Sequence, residues 1–184
     1  MGDQASGLLS PFLRKRRIET ALPYLKGSVL DYGCGVGALA GYIMPDRYVG
    51  IDDDPASIDI AKKMFPLHTF LLTADLFSLK KTFNSIALLA VIEHVDNAVE
   101  LLGKLRALCA SKSVIVLTTP APFAEPLHGI GAAIGLFSRE AQKDHKRLLG
   151  YKEINSMAKT AGFHITACKR FLLGMNQLFV LEVV

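Results

Sequence analysis

Cysteine is scarce in this sequence, and its positions show no pairing. The three cysteines, Cys34, Cys109 and Cys168, lie far apart, and no Cys-x-x-Cys motif occurs. This usage indicates neither a disulfide framework nor a zinc site, so we expect no bound metal. Because disulfides form mainly in oxidising compartments, the pattern favours a reducing, cytoplasmic location.

Long apolar runs are also lacking. No run approaches the roughly 18 residues that span a bilayer, and the N-terminus has no apolar stretch typical of a secretory signal. We therefore expect a soluble protein. The first six residues match the loose N-myristoylation pattern, and the basic run Arg14-Lys15-Arg16-Arg17 follows them. Membrane-surface contact is the weaker interpretation of this run, and a solvated basic helix face is the simpler one.

A strong excess of one charge is absent too. The chain has 21 basic and 17 acidic side chains, and no basic run alternates with aromatic residues that would stack on bases. Nucleic acid is therefore not the expected partner. With 184 residues, of which 51% are hydrophobic, the chain can bury one core but not a second full domain. We expect a single domain over residues 1–184.

What the sequence does contain is an alternation of short apolar runs with helical patterns. A helix is predicted over 98–109, capped by Asp96, and another over 151–161. The final runs predict an antiparallel hairpin. Because the earlier runs are almost continuously apolar, they are typical of strands buried on both faces of a parallel sheet in an α/β fold. The predicted strands cover residues 28–31, 48–52, 68–72, 85–90, 113–118, 163–171 and 177–183.

The most informative segment joins the first predicted strand to a glycine-rich turn. Asp31 ends the apolar run, and Gly33, Gly35 and Gly37 follow it at every second position. Glycine accepts positive φ and allows the backbone to approach a ligand closely. A helix predicted over 38–44 would point the positive end of its dipole at that ligand. The segment therefore predicts a ligand-binding turn.

Two kinds of cofactor are bound by such a turn. Gly33-x-Gly35-x-x-Ala38 satisfies the dinucleotide fingerprint, and Asp52, at the end of the second strand, stands at the right distance to hold a ribose hydroxyl. However, Asp31 and the acidic triplet 52–54 would repel a pyrophosphate. These carboxylates would instead attract a nucleoside that carries sulfonium and ammonium groups.

The same residues resemble the class I S-adenosylmethionine-dependent methyltransferases. The segment from Leu30 to Gly37 is similar to the first motif of that family, and Val49 to Asp52 is similar to the second. Residues 90–95 resemble the subgroup that includes ubiquinone-biosynthesis methyltransferases, and residues 113–120, 144–147 and 161–163 also match. The resemblance implies a doubly wound, Rossmann-like, mostly parallel seven-stranded sheet whose last strand is antiparallel.

S-adenosylmethionine is the cofactor that this resemblance implies. The implied methyl acceptor is a small molecule, apolar in one interpretation, that is methylated at oxygen or carbon. Asp75 falls where the family places its adenine contact. The Asn-Pro-Pro-Tyr type motif of enzymes that methylate nucleic-acid amines is absent after the fourth strand. The full set of implied cofactor-binding residues is Asp31, Gly33, Cys34, Gly35, Gly37, Asp52, Asp53, Asp75, Leu76, Ala90 and Val91.

Two histidines are candidate catalytic residues. Methyl transfer mainly requires alignment of the reacting atoms, and a base is needed only when the acceptor must lose a proton. His94 follows the fourth strand, where the cleft of an open α/β sheet lies, and His145 lies in Asp144-His145-Lys146-Arg147. His94 could instead brace its loop, and His145 could simply begin a solvated helix.

Residues 120–142 break the alternation and are predicted to form a lid. An apolar stripe there, which includes Leu127 and Phe137, runs beside Gly129, Gly131 and Gly135. Glycine weakens a helix, so the segment could open over an apolar acceptor, but it could equally pack as an ordinary helix.

The sequence leaves two other functions open. One is an NAD-type dinucleotide-dependent oxidoreductase, and the other is a catalytically inactive, cofactor-binding partner subunit.

Overall fold

Seven strands form a single sheet, and their order determines where a ligand can bind. The computed structural model describes residues 10–122 and 149–184. The sheet order is β3-β2-β1-β4-β5-β7-β6, and β7 runs antiparallel to both of its neighbours while strands 1 to 5 are parallel. This confirms the predicted α/β sheet with a reversed last strand. The strands are β1 Val29–Tyr32, β2 Tyr48–Asp52, β3 Thr69–Leu72, β4 Phe83–Leu89, β5 Cys109–Pro120, β6 Phe163–Phe171 and β7 Asn176–Val183.

Helices cover both faces of this sheet. Because side chains alternate along a strand, neighbouring residues pack into different layers. Leu30 packs into the cluster that contains α3 and α4, and Val29 packs into the cluster that contains α1 and α2. The strands therefore read as continuous apolar runs, as expected for a sheet buried on both faces. The helices are α1 Ser10–Ala21, α2 Pro55–Met64, α3 Ala98–Arg106 and α4 Tyr151–Thr160.

The helix predicted over 38–44 does not form. Residues 35–39 form turns, and only a single 3₁₀ turn, Ala40–Tyr42, follows them. Gly41 lies in the middle of this short stretch, and Pro45 disfavours helical geometry at Met44, whose ψ is 142°. The prediction was wrong because Gly41 weakens a helix in this segment and Pro45 prevents helical geometry at Met44. No α-helix therefore follows the glycine turn directly.

The first turn of α3 also differs from the prediction. Asn97, and not Asp96, is its N-cap, since the Asn97 Oδ1 accepts a hydrogen bond of 3.1 Å from the Glu100 backbone amide. The helix ends at Arg106, three residues earlier than predicted, because Cys109 already pairs with Phe83 in the sheet. Sheet pairing decides this boundary, and the helical apolar spacing does not.

The predicted lid lies almost entirely outside the described residues, as does His145. Only its first three residues are described, and within them Pro120 ends β5 and the Ala121 amide donates to Met175 O at 2.8 Å. Within residues 10–122 and 149–184, no helix is both long enough and apolar enough to cross a membrane.

Candidate cofactor site

The strand order creates a crevice at the carboxyl end of β1. β1 lies between β2 and β4, so the connections that leave β1 and β4 diverge at this edge of the sheet. Ligands of open α/β sheets bind at such a switch point. The loops after β1 and β4 are in close proximity here, since a Cβ built on Gly33 would lie 2.6 Å from Val91 Cγ2.

The glycine turn is attached to the end of β2. The backbone amides of Gly33 and Cys34 both donate to Ile51 O, at 2.8 and 2.9 Å. Gly33, Gly35 and Gly37 have φ values of 74°, 52° and 81°, so all three require the left-handed region that glycine enters without strain. A Cβ added at Gly35 would meet no heavy atom within 4 Å. The turn therefore presents bare backbone toward open space.

Asp52, at the end of β2, binds the glycine turn through its side chain. Its Oδ2 accepts a hydrogen bond of 2.7 Å from the Gly35 amide, and its Oδ1 accepts one of 3.0 Å from the Asp54 amide. Asp54 in turn caps α2 through the amides of Ala56 and Ser57. A carboxylate has about four lone-pair sites, so the half-buried Asp52 carboxylate retains acceptor capacity for a ligand.

Asp31 lies at the bottom of the crevice. Its side chain is 3% exposed, and its Oδ2 accepts a hydrogen bond of 2.7 Å from the Tyr48 hydroxyl. Burial raises the pKa of Asp31 to about 7, although the Tyr48 hydrogen bond opposes this effect. Burial also raises the pKa of the Cys34 thiol well above its usual value, and the nearby Asp31 charge adds to the rise. Cys34 is therefore a packing residue at neutral pH and not a nucleophile.

These residues border a cavity of about 780 Å³, which is within the usual range for small-molecule sites. Its wall combines the glycine turn, the start of α2, the end of β4 and one face of α1. The lining residues are Arg14, Arg17, Ile18, Asp31, Gly33, Cys34, Gly35, Val36, Ala38, Leu39, Asp54, Ala56, Ser57, Ile60, Leu89 and Ala90. The crevice thus holds a cofactor-sized space next to backbone amides and carboxylates.

The chain turns sharply where β4 ends. Ala90 has a φ of 61°, which is strained for a residue with a Cβ, and its amide donates to Thr118 O at 3.0 Å. Such strain persists only where surrounding contacts impose it, and it concentrates at functional sites. A short 3₁₀ turn, Ile92–His94, follows, with Glu93 buried and His94 exposed. His94 therefore lies near the crevice but does not line the cavity.

The predicted cofactor residues divide into two groups. Five of them line the cavity, namely Asp31, Gly33, Cys34, Gly35 and Ala90. Among the others, Gly37 packs against the Phe70 ring, Leu76 is buried in the core, and Asp53 and Asp75 are exposed. Asp52 and Val91 contact the glycine turn from either side of it.

The sequence interpretation missed the contribution of α1. The basic run in this helix was expected to be a solvated face, but Arg14 and Arg17 line the cavity and Arg17 is partly buried. One signal was present, since Arg14, Arg17, Ile18 and Ala21 have the i, i+3, i+4, i+7 spacing of a single helix face. The Tyr48 hydroxyl that binds Asp31 was also missed, and no local pattern indicates that contact.

Comparison with known proteins agrees with this geometry. A family described as a methyltransferase domain matches residues 8–167. Magnesium protoporphyrin IX methyltransferase from Synechocystis, solved with bound S-adenosylhomocysteine, has a TM-score of 0.69 at 17% identity, covering 100% of this chain and 90% of that one. An S-adenosylmethionine-dependent methyltransferase from Clostridium acetobutylicum gives 0.70 at 11% identity, with 93% and 90% coverage. The plantazolicin methyltransferase BamL, solved with a triazolic desmethylPZN analogue and S-adenosylhomocysteine, gives 0.67 at 14% identity, with 94% and 83% coverage.

No curated protein matches the sequence significantly. The seven-stranded sheet with its reversed β7 belongs to a fold that is shared with the solved S-adenosylmethionine-dependent methyltransferases. Because the family match spans residues 8–167 of the 184, the chain belongs to the methyltransferase-domain family.

Proposed function

We propose that the cavity binds S-adenosylmethionine and that the protein transfers its methyl group to a small-molecule acceptor, at an oxygen or carbon atom. The observation that carries this proposal is the joint position of the glycine turn and Asp52. The turn exposes backbone toward a cavity of about 780 Å³, and the Asp52 carboxylate is fixed beside it. Preorganised acceptors of this kind suit the ribose hydroxyls of a nucleoside.

Six of the eleven predicted cofactor residues have side-chain roles in this proposal. Asp52 accepts hydrogen bonds from the ribose hydroxyls, and Asp75, after β3, accepts one from the adenine amine. Asp53 adds negative charge near the cavity, Val91 contributes an apolar side chain beside Gly33, and the buried Leu76 supports the loop after β3 from the core. Asp31, beside the amino-acid end, attracts the ammonium group through the charge of its ionised form.

The chemistry that the cofactor supplies is an already activated methyl group. The protein therefore has to align the acceptor with that group and exclude water, and such orientation is worth about 7 to 11 kcal/mol in well-ordered systems. A base acts only if the acceptor carries a proton to be removed. His94 is the described candidate, because it ends the turn that follows β4. The structure does not describe the second candidate, His145.

Calorimetric titration with S-adenosylhomocysteine and with NAD tests the proposal without any knowledge of the acceptor. We expect S-adenosylhomocysteine to bind and NAD not to bind, because the chain matches a methyltransferase domain over residues 8–167. Binding of NAD alone would contradict the proposed function.

A screen of metabolites for turnover then separates an enzyme from a binding subunit. In the resulting assay, substitution of His94 by Gln tests the role of His94 as a base.

Removal of the Asp52 carboxylate gives a residue-level test of the same site. Asp52→Ala should weaken S-adenosylhomocysteine binding by about 1.5 to 3 kcal/mol, the range for hydrogen bonds to a charged group. Asp59→Ala is the matched control, because Asp59 is an exposed aspartate of α2 that does not line the cavity. Equal affinities of the Asp52→Ala and Asp59→Ala variants would refute the assignment.

A further inference from the structure

The turn that joins β6 to β7 contains two leucines in a backbone conformation that leucine rarely adopts. Leu172 and Leu173 have φ values of 53° and 54°, and the Gly174 amide closes the turn by donating to Phe171 O at 3.1 Å. A two-residue hairpin turn with positive φ at both central positions strongly favours Asn-Gly, because most residues with a Cβ are strained there. The sequence of this turn therefore lowers the stability of the hairpin.

The second of these leucines is not buried by the folded chain. Leu173 is 98% exposed, whereas Leu172 packs in part against the buried cluster that contains Phe171. An exposed leucine contributes almost no hydrophobic stabilisation, so burial does not offset the strain at Leu173. Backbone strain of this kind concentrates at functional sites. Burial of Leu173 in an apolar medium outside the chain would account for both its conformation and its exposure.

The leucine turn lies at the same end of the molecule as the first residues of α1. Asn176 begins β7 and pairs with Pro120 at the end of β5, so the turn is at the carboxyl edge of the parallel strands. The Arg17 Nε donates to Asn176 Oδ1 at 3.2 Å, and α1 then leads toward the start of β1 at the opposite edge. Phe12, which is 52% exposed, precedes Arg17 by about 7.5 Å along the helix axis. Phe12 and Leu173 are therefore exposed apolar side chains at one end of the molecule.

Basic side chains lie beside Phe12 on the outer face of α1. Lys15 and Arg16 follow Phe12 by three and four positions, so these exposed side chains share one helix face. The face of α1 that packs on the sheet is a different one, which contains Ile18. Lys15 and Arg16 both form ion pairs with Glu19, but the helix has four basic residues and only this one acid. The outer face of α1 therefore combines an aromatic ring with an excess of positive charge.

The strand β6 adds positive charge beside the leucine turn. Lys169 is exposed two residues before Phe171, where β6 ends. Its ladder partner is Leu178, and directly paired residues point to the same face of a sheet. Leu178 packs in the cluster that contains Ile18 of α1, so Lys169 is on the face that α1 covers. Together α1 and β6 contain six Lys and Arg residues and one acidic residue, an excess that the whole chain, with 21 and 17, does not have.

Two exposed apolar side chains with basic neighbours suit the surface of an anionic membrane. Leucine and phenylalanine enter the boundary between headgroups and acyl chains, and lysine and arginine near that boundary are attracted by anionic headgroups. We propose that the protein docks on an anionic lipid surface, with Phe12 and Leu173 inserted into the boundary and with Lys15, Arg16 and Lys169 against the headgroups. This inference goes beyond the proposed function and depends on neither the cofactor nor the acceptor.

Docking in this orientation holds the cofactor crevice close to the lipid. Arg14 and Ile18 line the cavity from one side of α1, while Phe12 and Lys15 belong to its outer face. A helix with its side chains is about 10 to 12 Å across, so the crevice lies about one helix diameter from the proposed lipid contact.

Sedimentation of the full chain with lipid vesicles tests the proposal. Vesicles of phosphatidylcholine alone are compared with vesicles that also contain phosphatidylserine. We expect the protein to sediment with the anionic vesicles and not with the neutral ones. Because salt screens exposed charges, this binding should weaken as the salt concentration rises.

Leu173→Asn separates lipid contact from a structural role. Asparagine tolerates the left-handed conformation but cannot insert into lipid, so this variant should have a higher melting temperature and about tenfold weaker vesicle binding. Leu67→Asn is the matched control, because Leu67 is 81% exposed and precedes β3 at the opposite edge of the sheet. It should bind vesicles as the wild type does.

Lys169→Gln tests the electrostatic part of the proposal. Removal of one charge near an anionic surface should weaken binding to phosphatidylserine vesicles about fivefold. Lys63→Gln removes an exposed lysine from the last turn of α2 and serves as the control for net charge. It should leave vesicle binding unchanged.

The proposal is overturned if the wild type does not bind anionic vesicles, or if it binds neutral vesicles equally well. Equal vesicle binding by Leu173→Asn and Leu67→Asn would also overturn it. A protein that ignores vesicles but self-associates through Leu173 in sedimentation velocity would show a contact between copies of the chain in place of a lipid contact. Failure to bind S-adenosylhomocysteine would count against the proposed function only, because the vesicle measurements contain no cofactor.

Discussion

At the scale of single residues, the carboxylates around the crevice differ more in their environment than in their chemistry. Asp31 is buried and bound by one hydroxyl, whereas Asp52 is half buried and bound by two backbone amides. Burial without compensating charge raises a carboxylate pKa, and this explains why Asp31 titrates near neutrality. The two aspartates should therefore respond differently to pH.

Asp31 should make ligand binding depend on pH. Its pKa of about 7 means that the carboxylate is mostly protonated at pH 6 and mostly ionised at pH 8. Only the ionised form attracts the ammonium group of S-adenosylhomocysteine, so we expect about tenfold weaker binding at pH 6 than at pH 8. Calorimetry across this range measures the effect. Asp31→Asn should give a flat profile and Asp59→Asn an unchanged one, and a flat wild-type profile would contradict the assignment.

The raised pKa of Asp31 should lower the stability of the protein as the pH rises, although the same rise in pH strengthens ligand binding. The pKa of Asp31 is raised from 3.8 to about 7 on folding, so between these values the unfolded state has released a proton that the folded state retains. The free energy of unfolding should therefore fall as the pH rises from about 4 to 7. Urea denaturation of the wild type and of Asp31→Asn at pH 5 and pH 8 measures this contribution. The prediction fails if the two proteins show the same change in stability between those pH values.

Asp75 tests whether recognition of adenine involves its amine. We expect Asp75→Asn to weaken binding of the adenosine form of the ligand more than that of the inosine form, because inosine has a carbonyl in place of the exocyclic amine. Parallel titrations with S-adenosylhomocysteine and S-inosylhomocysteine measure the difference. Equal losses for the two ligands would show that the Asp75 carboxylate does not accept a hydrogen bond from this amine.

At the scale of elements, the glycine turn combines a binding function with a packing function. Gly35 faces open space, whereas a Cβ at Gly37 would lie 2.9 Å from the ring of the buried Phe70. Both residues have positive φ. The two positions therefore separate the ligand-facing part of the turn from the part that the core requires.

Alanine substitutions at these two positions should have different effects. Gly35→Ala should cost about 1 to 2 kcal/mol of stability through its left-handed φ, and it should strongly reduce S-adenosylhomocysteine binding by projecting a methyl group into the cavity. Gly37→Ala adds overpacking against Phe70, so its cost should reach about 2 to 5 kcal/mol. Thermal unfolding and calorimetry on both variants measure the separation. Gly35→Ala with wild-type affinity would show that the ligand does not approach the turn.

The sequence predicted those elements whose signals are local. The strand runs and the acidic residues at their ends are read directly from neighbouring positions, and β2 and β6 match their predicted bounds. The helix over 38–44 was wrong because Gly41 and Pro45 outweigh its apolar content. The contacts of Arg17 with Asn176 and of Tyr48 with Asp31 join residues 159 and 17 positions apart. Such contacts depend on the finished fold, so sequence spacing alone does not reveal them.

At the scale of the whole molecule, the sheet order connects these separate features. The switch point between β1 and β4 brings together loops from distant parts of the chain, while α1 covers the same crevice from one side. The helices α3 and α4 pack on the opposite face and support β4 and β5 from behind. The fold therefore places these loops and α1 around one crevice, in which the proposed cofactor and acceptor bind.

A crystal structure of the complex with S-adenosylhomocysteine tests this central claim most directly. We expect density for the ligand in the cavity between the glycine turn and α1, with the ribose hydroxyls at hydrogen-bond distance, about 2.7 Å, from the Asp52 carboxylate. The backbone of Gly33 and Gly35 should contact the ligand in the same complex. Density for the ligand at another surface, with this cavity filled only by solvent, would contradict the account.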